Sequence, residues 1–571
     1  EDAEAFQAFK QRHIGIVGLG QHAALKGENA EFAVDQGVGT GKIHGLGFVN
    51  RLNHKRRPLL EHDIYMTTFH PAGHPVEIEL KLALPPQQAE RFVKIMARRH
   101  GAPVRQQVLT RYFDTPDWAL SAQGIALRVR RVGRRWLQTL KTEGVRQGGL
   151  SQRAEYEMAI TGGTPDWGRF PAEALARVPQ ALRANLAPQF ETRFSRTVWQ
   201  LAGRQGAAIE VALDVGEVQA GSRRQPICEI ELELKAGQPD TLFELALDWA
   251  QQLDCLPLDT SKAERGVRLA RDQNPAPVKS VAAVLDRRMS VEAGFVAMCQ
   301  ASLAQFQANL PGVLTSGDIE YVHQARVALR RLRAALRVCR RLCVLPEELM
   351  AGLRALAAAL GPVRDWDVLC SETLPPVAQH YADAAVWQQG MAALEAQRAE
   401  ARAAMLAALA QARPGAWLLA FQRWLLQRGW RDAPEARRFA QLSPLAPWAR
   451  QVLHKGQRRI VRGARAYADL QPVQRHALRI AIKRQRYAAE FFQTLFAKDG
   501  PRRYLAALCD AQDSLGHLND ARIAQKLVSM AQPETGSMGL FVQGWLAAQQ
   551  QGAALGESAG QVKKLLKFKA L

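Results

Sequence analysis

The residues of this chain with most chemistry in them are Glu77, Glu79 and Lys81, set in the run Val76-Glu77-Ile78-Glu79-Leu80-Lys81-Leu82. Aliphatic and charged side chains alternate here, and a period of two means a β-strand with one aliphatic and one charged face. Successive groups on the charged face stand about 7 Å apart. Carboxylates bind hard divalent cations through oxygen, and a lysine supplies a point charge for phosphate. Two carboxylates and an ammonium on one face suit a metal ion and a polyanion held side by side. A solvated strand face is the competing reading, and the triplet alone does not exclude it.

Positioning such a face takes more strands, and the sequence offers them. Stretches 107–113, 125–132, 135–141, 153–160, 193–201, 207–213 and 227–235 read as strands, and 86–100 as a helix. Arg128 and Arg130 alternate with Leu127 and Val129. Arg153, Glu155 and Glu157 alternate with Ala154, Tyr156 and Met158, and Glu229, Glu231, Glu233 and Lys235 with Ile230, Leu232 and Leu234. Charged faces that converge predict a closed barrel with a charged lumen. Such a lumen is costly unless its cations and anions pair, or a ligand and a metal neutralise them.

Composition agrees with a polyanionic partner. The 571 residues hold 76 Lys plus Arg against 54 Asp plus Glu, a formal net charge of +22. A nucleic-acid partner is disfavoured, because the basic residues lack the aromatic interleaving of base-stacking platforms. No apolar run reaches about 18 residues, so no membrane-spanning helix is expected, and no segment reads as a signal peptide. The seven cysteines are scattered without a Cys-x-x-Cys pair, so free thiols and a cytoplasmic location are expected. Residues 1–65 are read as a leader, disordered or produced by a start placed too far upstream. Its glycine clusters miss the spacing and context of nucleotide-binding loops. His70 and His74 precede the first strand and are given no role.

Between residues 76 and 268 the ordered set Glu77-x-Glu79-x-Lys81, Tyr112-Phe-Asp114-Thr115, Leu127-Arg128-x-Arg130, Leu140-Lys141-Thr142, Arg153-x-Glu155-x-Glu157, Thr192-Arg193, Leu213-Asp214, Glu229-x-Glu231-x-Glu233 and Ser261-Lys262-Ala-Glu-Arg265-Gly266 resembles the CYTH, or triphosphate tunnel metalloenzyme, family. The resemblance implies an eight-stranded antiparallel tunnel in which basic residues bind a triphosphate and carboxylates hold Mg2+ or Mn2+. It makes Glu77, Glu79 and Lys81 the catalytic set. Arg128, Arg130, Lys141, Arg193 and Lys262 become the substrate clamp, and Glu77, Glu79, Glu229, Glu231 and Glu233 the metal ligands. Arginine forks and lysine point charges suit phosphate oxygens. Phosphoryl transfer needs positioning and charge neutralisation more than covalent chemistry. Tyr112 and Asp114 are as readily structural as functional, and so are Glu155 and Glu157.

Residues 271–281 read as a linker rich in Pro and polar residues. From 282 to 571 strands give way to helical periodicity in Ala-, Leu- and Arg-rich sequence. The motif His323-x-x-Arg326-Val-x-x-Arg330-Arg331-x-Arg333 recurs as His476-x-x-Arg479-Ile-x-x-Lys483-Arg484-x-Arg486, and Leu360-Gly361-x-x-Arg364-Asp365 recurs as Leu515-Gly516-x-x-Asn519-Asp520. Two helical bundles related by an internal repeat are implied. On a helix His323, Arg326, Arg330, Arg333 and Arg337 share one face, as do His476, Arg479, Lys483 and Arg486, with Leu329, Leu332 and Leu336 opposite. Like charges along one face repel each other. The repetition therefore points to a shared anion more than to a solvated face. Glu490 stands at the register of Arg337, so the second stripe is shorter or partly self-neutralised. This half resembles the CHAD family, which implies a basic cavity for inorganic polyphosphate.

The fold class expected is α+β, a β tunnel followed by an all-α repeat domain. The function expected is metal-dependent hydrolysis of inorganic triphosphate to diphosphate and phosphate, beside a polyphosphate-binding helical domain. Two alternatives stand: a non-catalytic polyphosphate-binding scaffold, and a tunnel enzyme acting on an organic triphosphate such as thiamine triphosphate or a nucleotide.

Overall fold

The computed structural model describes residues 76–568, apart from 204, 205, 433, 497, 498 and 552. The leader reading, and His70 and His74, lie outside the described residues. The alternating stretches form β1 (Val76–Ala83), β2 (Val104–Asp114), β3 (Ala126–Val132), β4 (Arg135–Lys141), β5 (Val145–Gln147), β6 (Leu150–Ile160), β7 (Ala187–Ala202), β8 (Ala208–Ala220), β9 (Arg223–Ala236) and β10 (Leu256–Pro257). Pairing is antiparallel in the order β1-β9-β8-β7-β2-β3-β4-β6, and β6 returns to β1 to close an eight-stranded barrel. The closing register sets Glu77 opposite Arg153 and Glu79 opposite Ser151. Gly133 (φ 61°) and Gly221 (φ 59°) open the two-residue turns of the β3–β4 and β8–β9 hairpins. Left-handed backbone is what such turns demand.

The outer face of the barrel is buried as well. Helix α1 (Ala89–His100) and helix α2 (Asp240–Ala250) pack on it, and Phe92 meets Trp199 and Trp249 edge-on at 6.0 and 5.1 Å. Helix α3 (Lys262–Ala270) lies against β7, β8 and β9. Ser261 and Glu264 form its capping box, a Ser-x-x-Glu signal present in the sequence but not read as a helix start. Gly266 allows the close approach, because a Cβ there would stand 1.9 Å from the Phe190 ring.

Residues 271–290 have no helix or strand, yet they are not a free tether. The Asn309 amide brackets Val278, accepting from its N–H at 2.9 Å and donating to its C=O at 2.8 Å. The Tyr321 hydroxyl donates to Pro275 O at 2.9 Å. Beyond lie α4 (Val291–Thr315), α5 (Ile319–Cys339), α6 (Glu347–Val368), α7 (Ala384–Ala412) and a connecting α8 (Pro414–Leu426). The second repeat follows as α9 (Leu445–Arg465), α10 (Pro472–Phe492), α11 (Asp499–Met530) and α12 (Gly536–Gln551). The two halves expected from the repeated motifs are not separate bundles. One apolar cluster joins Phe295, Leu329 and Leu332 to Leu453, Ile482 and Phe492, and another joins Trp366 and Leu394 to Val528 and Val542. Leu329, Leu332 and Leu336 face that core, as their spacing requires.

The described residues belong to one compact unit, so the two halves are docked rather than loosely linked. Leu419 of α8 is buried in the cluster at the barrel's outer face, and Arg423 pairs with Asp240 at 2.8 Å and Glu244 at 2.6 Å. No single described helix is long and apolar enough to cross a membrane.

Candidate active site and anion-binding groove

Strand parity decides which side chains reach the lumen. The inward row of β1 is Glu77, Glu79 and Lys81. That of β3 is Arg128 and Arg130, and that of β6 is Arg153, Glu155 and Glu157. β7 contributes Arg196, β8 Glu210, and β9 Glu231, Glu233 and Lys235. Together with Lys141 and Lys262 they surround a cavity of about 570 Å³. Nearly every charge there has a partner. Lys141 Nζ donates to both Glu77 oxygens at 2.7 Å and lies 3.0 Å from Glu155. Arg153 reaches Glu79 at 2.7 Å and Glu77 at 3.3 Å. Lys81 lies 2.8 Å from Glu79 and 3.7 Å from Glu231. Arg128 donates to Glu155 at 3.2 Å. Burial pushes Glu155 upward, but Lys141 and Arg128 outweigh it and hold the carboxyl down at about 2.

Arg130 is the exception. Among the described residues no carboxylate pairs with it, and its buried Nε has no hydrogen-bond partner. Burial, with Arg128 and Arg196 nearby, brings its guanidinium down to about 10. The Nε of Arg128 and the hydroxyls of Thr110 and Thr192 are also buried without partners. Thr110 sits opposite Arg130 on β3 and opposite Thr192 on β7. Arg128 and Arg130, which line the cavity, thus bring to it donors lacking acceptors, the complement of a phosphate.

In the helical half the two stripes converge. Arg330 of α5 and Lys483 of α10 line the same groove, and burial, then Arg330, Arg479, Arg326 and Arg486, depress Lys483 to about 8. Arg326 lies 4.0 Å from Asp365, and Arg479 donates to Asn519 at 3.2 Å, so the second repeated motif meets the first. From here a groove of about 690 Å³ runs past Arg333 and Arg337, and among the described residues no carboxylate lines it. The groove also takes in Arg340, Arg341, Lys455, Arg459 and Arg484. Lys455 and Arg459 of α9 belong to no repeated motif and join the groove only through helix packing.

A family model for the CYTH domain matches residues 76–267, and one for the CHAD domain matches residues 297–529. The chain is a CYTH–CHAD protein. An inorganic triphosphatase of Haemophilus influenzae is 37% identical over 203 residues, which make up 34% of this chain and 56% of that protein. The chain therefore spans little more than half the length of that relative. The crystal structure of the CHAD domain of Ricinus communis is 30% identical, with a TM-score of 0.45 over 52% of this chain and 99% of its own. A Hippeastrum protein described as having a dominant triphosphatase activity is 17% identical, with a TM-score of 0.26 over 35% of this chain and 97% of its own.

Against this CYTH–CHAD frame, one clamp residue is misplaced. Arg193 lies on the outer face of β7, its side chain 61% exposed and paired with Glu191. The lumen position belongs to Arg196, which grips Asp214 bidentately at 2.8 and 2.6 Å and also reaches Glu231. Asp114 is structural: it accepts from the backbone N–H groups of Thr115, Leu120 and Ser121 at 2.8 to 3.0 Å. Tyr112 stacks on Phe190 at 4.6 Å. Glu155 pairs with Arg128 and Lys141, not with Arg153.

The acidic groups of the CYTH tunnel offer two oxygen-rich places that suit a hard divalent cation by donor type. Asp214, Glu229 and Glu231 bring carboxylate oxygens within 4.8 Å of one another. Lys262 Nζ already lies among them, 2.7 Å from Asp214, 3.0 Å from Glu231 and bonded to Glu229. Glu229 is only 1% exposed, is shared with Arg265 and does not line the cavity, so it is poorly placed as a ligand. The second place is the mouth. Burial raises the Glu233 carboxyl, and the negative charges of Glu77 and Glu210 add to that despite Lys235. A divalent ion there would relieve the repulsion.

In the CHAD domain Arg330, Arg333, Arg337 and Lys483 line the groove. Arg486 is partly neutralised by Glu490 at 3.2 Å, and Glu490 also pairs with Arg331, so the second stripe is shortened as its sequence indicates. His323 is half-buried, and burial with Arg364 lowers its imidazole below the ordinary range. His476 is exposed at the rim of the stripe.

Proposed function

We propose that the CYTH tunnel hydrolyses inorganic triphosphate to diphosphate and phosphate with Mg2+ or Mn2+, and that the CHAD domain binds inorganic polyphosphate. The single observation that carries the first part is Arg130, a half-buried cation that lines the charged cavity with no carboxylate partner among the described residues and a buried Nε left without an acceptor. A buried unpaired charge is expensive, and a phosphate between Arg128 and Arg130 would satisfy it. Lys81, Lys141, Arg196 and Lys262 surround the rest of the anion, and carboxylates keep them in place until the substrate arrives. Glu77, Glu79 and Glu233, with Glu210 and Glu231 in reach, would hold the metal. When bound, the ion neutralises phosphoryl oxygens and makes a hydroxide available at neutral pH. Identity with the Haemophilus influenzae inorganic triphosphatase supports the reaction class.

The groove, with no lining carboxylate among the described residues, supports the second part. A long flexible polyanion meets a row of cations there, whereas a pure scaffold reading would leave the acidic side of the tunnel without purpose. An organic triphosphate is less well served, since Tyr112 and Tyr156 supply the aromatic lining of the tunnel and Tyr112 is already stacked. The deciding experiment is phosphate release by the full chain from triphosphate, longer polyphosphate, ATP and thiamine triphosphate. Preference for triphosphate is expected, and an equal or higher rate on ATP or thiamine triphosphate would overturn it. Polyphosphate retention should fall steeply with added salt, because each contact displaces condensed counterions.

A further inference from the structure

We propose that residues 255–261 form a strap through which the CHAD domain holds Lys81 and Lys262 in place in the tunnel, with Gln307 as a positioning residue for the triphosphate reaction. The inference rests on the tunnel reading above and adds a role for the helical domain within it.

The strap begins at Cys255, runs through β10 along β1 and ends at Ser261, the cap of α3. Its inner side fixes the backbone of Lys81. The Lys81 C=O accepts from Leu258 N at 2.8 Å, and the Lys81 N–H donates to Gly149 O at 2.9 Å. Asp259 completes the lock by accepting from Gly149 N at 2.7 Å. Gly149 has φ 85°, and a Cβ there would stand 2.7 Å from Lys81 O, so the β5–β6 turn approaches as closely as only glycine permits. Three residues past Asp259 the chain delivers Lys262 into the lumen. Lys81 and Lys262 then converge on the same carboxylate, Glu231, at 3.7 and 3.0 Å.

The outer side of the strap is held by the CHAD domain. Gln307 of α4, only 6% exposed, donates from Nε2 to Pro257 O at 3.1 Å, and its amide faces the Asp259 carboxyl. Gly415, in the first turn of α8, lies so near the strap that a Cβ there would stand 1.9 Å from Cys255 O. Gln422 of the same helix packs on Gly148, where a Cβ would be 2.5 Å from its side chain. A strand of two residues cannot hold its own position, so these contacts fix it. Small displacements of positioned groups are costly in phosphoryl transfer. The helical domain thus reaches the reaction through backbone geometry, without touching the lumen.

The test uses the full chain, with triphosphate binding measured by calorimetry, hydrolysis kinetics and Tm. Gln307→Leu keeps the volume and removes the donor to Pro257. It should raise KM and the triphosphate dissociation constant about fivefold, the factor one ordinary hydrogen bond corresponds to. Asp259→Ala should do the same, and Asp259→Asn, which still accepts from Gly149 N, should restore wild-type values. Arg423→Ala is the control: it loosens the interdomain contact away from the strap and should lower Tm without changing KM. If Gln307→Leu leaves both constants unchanged, or if Arg423→Ala raises KM equally, the strap is only an interface and the inference falls. A wild type that neither binds nor hydrolyses triphosphate would overturn the tunnel reading itself, and this inference with it.

Discussion

Arg130 shows what an unpaired cation costs at the level of one side chain. Its neighbours are satisfied by Glu77, Glu79, Glu155, Asp214 and Glu231, and it is not. Leaving the buried Nε of a half-buried guanidinium without an acceptor costs stability, and on the reading proposed above a phosphate would supply that acceptor. Arg130→Gln should therefore raise KM for triphosphate by about 10- to 100-fold, the range for a hydrogen bond to a charged group, while Tm stays level or rises. Arg193→Gln should leave KM within about twofold, because an exposed pair with Glu191 contributes little to either binding or stability. Equal effects of the two substitutions would show that net charge, not lumen position, carries binding. The carboxylates support a second expectation. Chelation with EDTA should abolish turnover and added Mg2+ or Mn2+ should restore it, with Glu77→Gln lowering kcat by at least about 100-fold. Turnover that survives both would remove the metal from the reaction.

At the scale of elements, alternation revealed β1, β3, β6 and β9, because their outer faces are aliphatic and their inner faces charged. It failed in β7. There Phe194 faces the lumen while Trp199 and Leu201 face helices packed on the outside, so apolar residues occupy both parities and the pattern does not say which face is which. Arg193 enters the clamp through the family resemblance alone, and strand parity in the structure gives the lumen position to Arg196 instead. Helices α5 and α10 were legible through their repeated stripes, but α9 entered the groove only through packing. The stripes also set a pH dependence. Lys483, held down to about 8 by burial and by Arg330, Arg479, Arg326 and Arg486, carries its charge below that pH and loses it above. Polyphosphate affinity should accordingly fall as pH rises from about 7 to 9, and Lys483→Arg should abolish that fall, since arginine stays protonated. His323 is lowered, by burial first and then by Arg364, so its contribution shifts below the ordinary histidine range instead of strengthening binding near neutrality. Retention titrated at constant salt checks both, and an unchanged fall in Lys483→Arg would remove Lys483 from the site.

For the whole molecule the question is whether the two domains fold as one. The Pro-containing linker reads as a spacer, but its backbone is bracketed by Asn309 and Tyr321 of the helical domain. Leu419 crosses the boundary into the cluster that holds Trp249, Phe243 and Leu253 of the tunnel domain. Arg423 adds a bidentate pair with Asp240, at 2.8 Å through both nitrogens, and a further bond to Glu244. Sequence periodicity cannot reveal such docking, because a leucine that packs on another domain looks the same as one that packs at home. An interface with an apolar centre and a paired arginine couples the stabilities of the domains it joins. Calorimetry of the full chain should give one unfolding transition. Leu419→Ala should cost about 2–5 kcal/mol, the usual range for a fully buried leucine, and Leu419→Asp should split the transition in two by placing a charge in that cluster. Two transitions in the wild type, or a single unshifted one in Leu419→Asp, would mean that the tunnel and the helical domain stand independently.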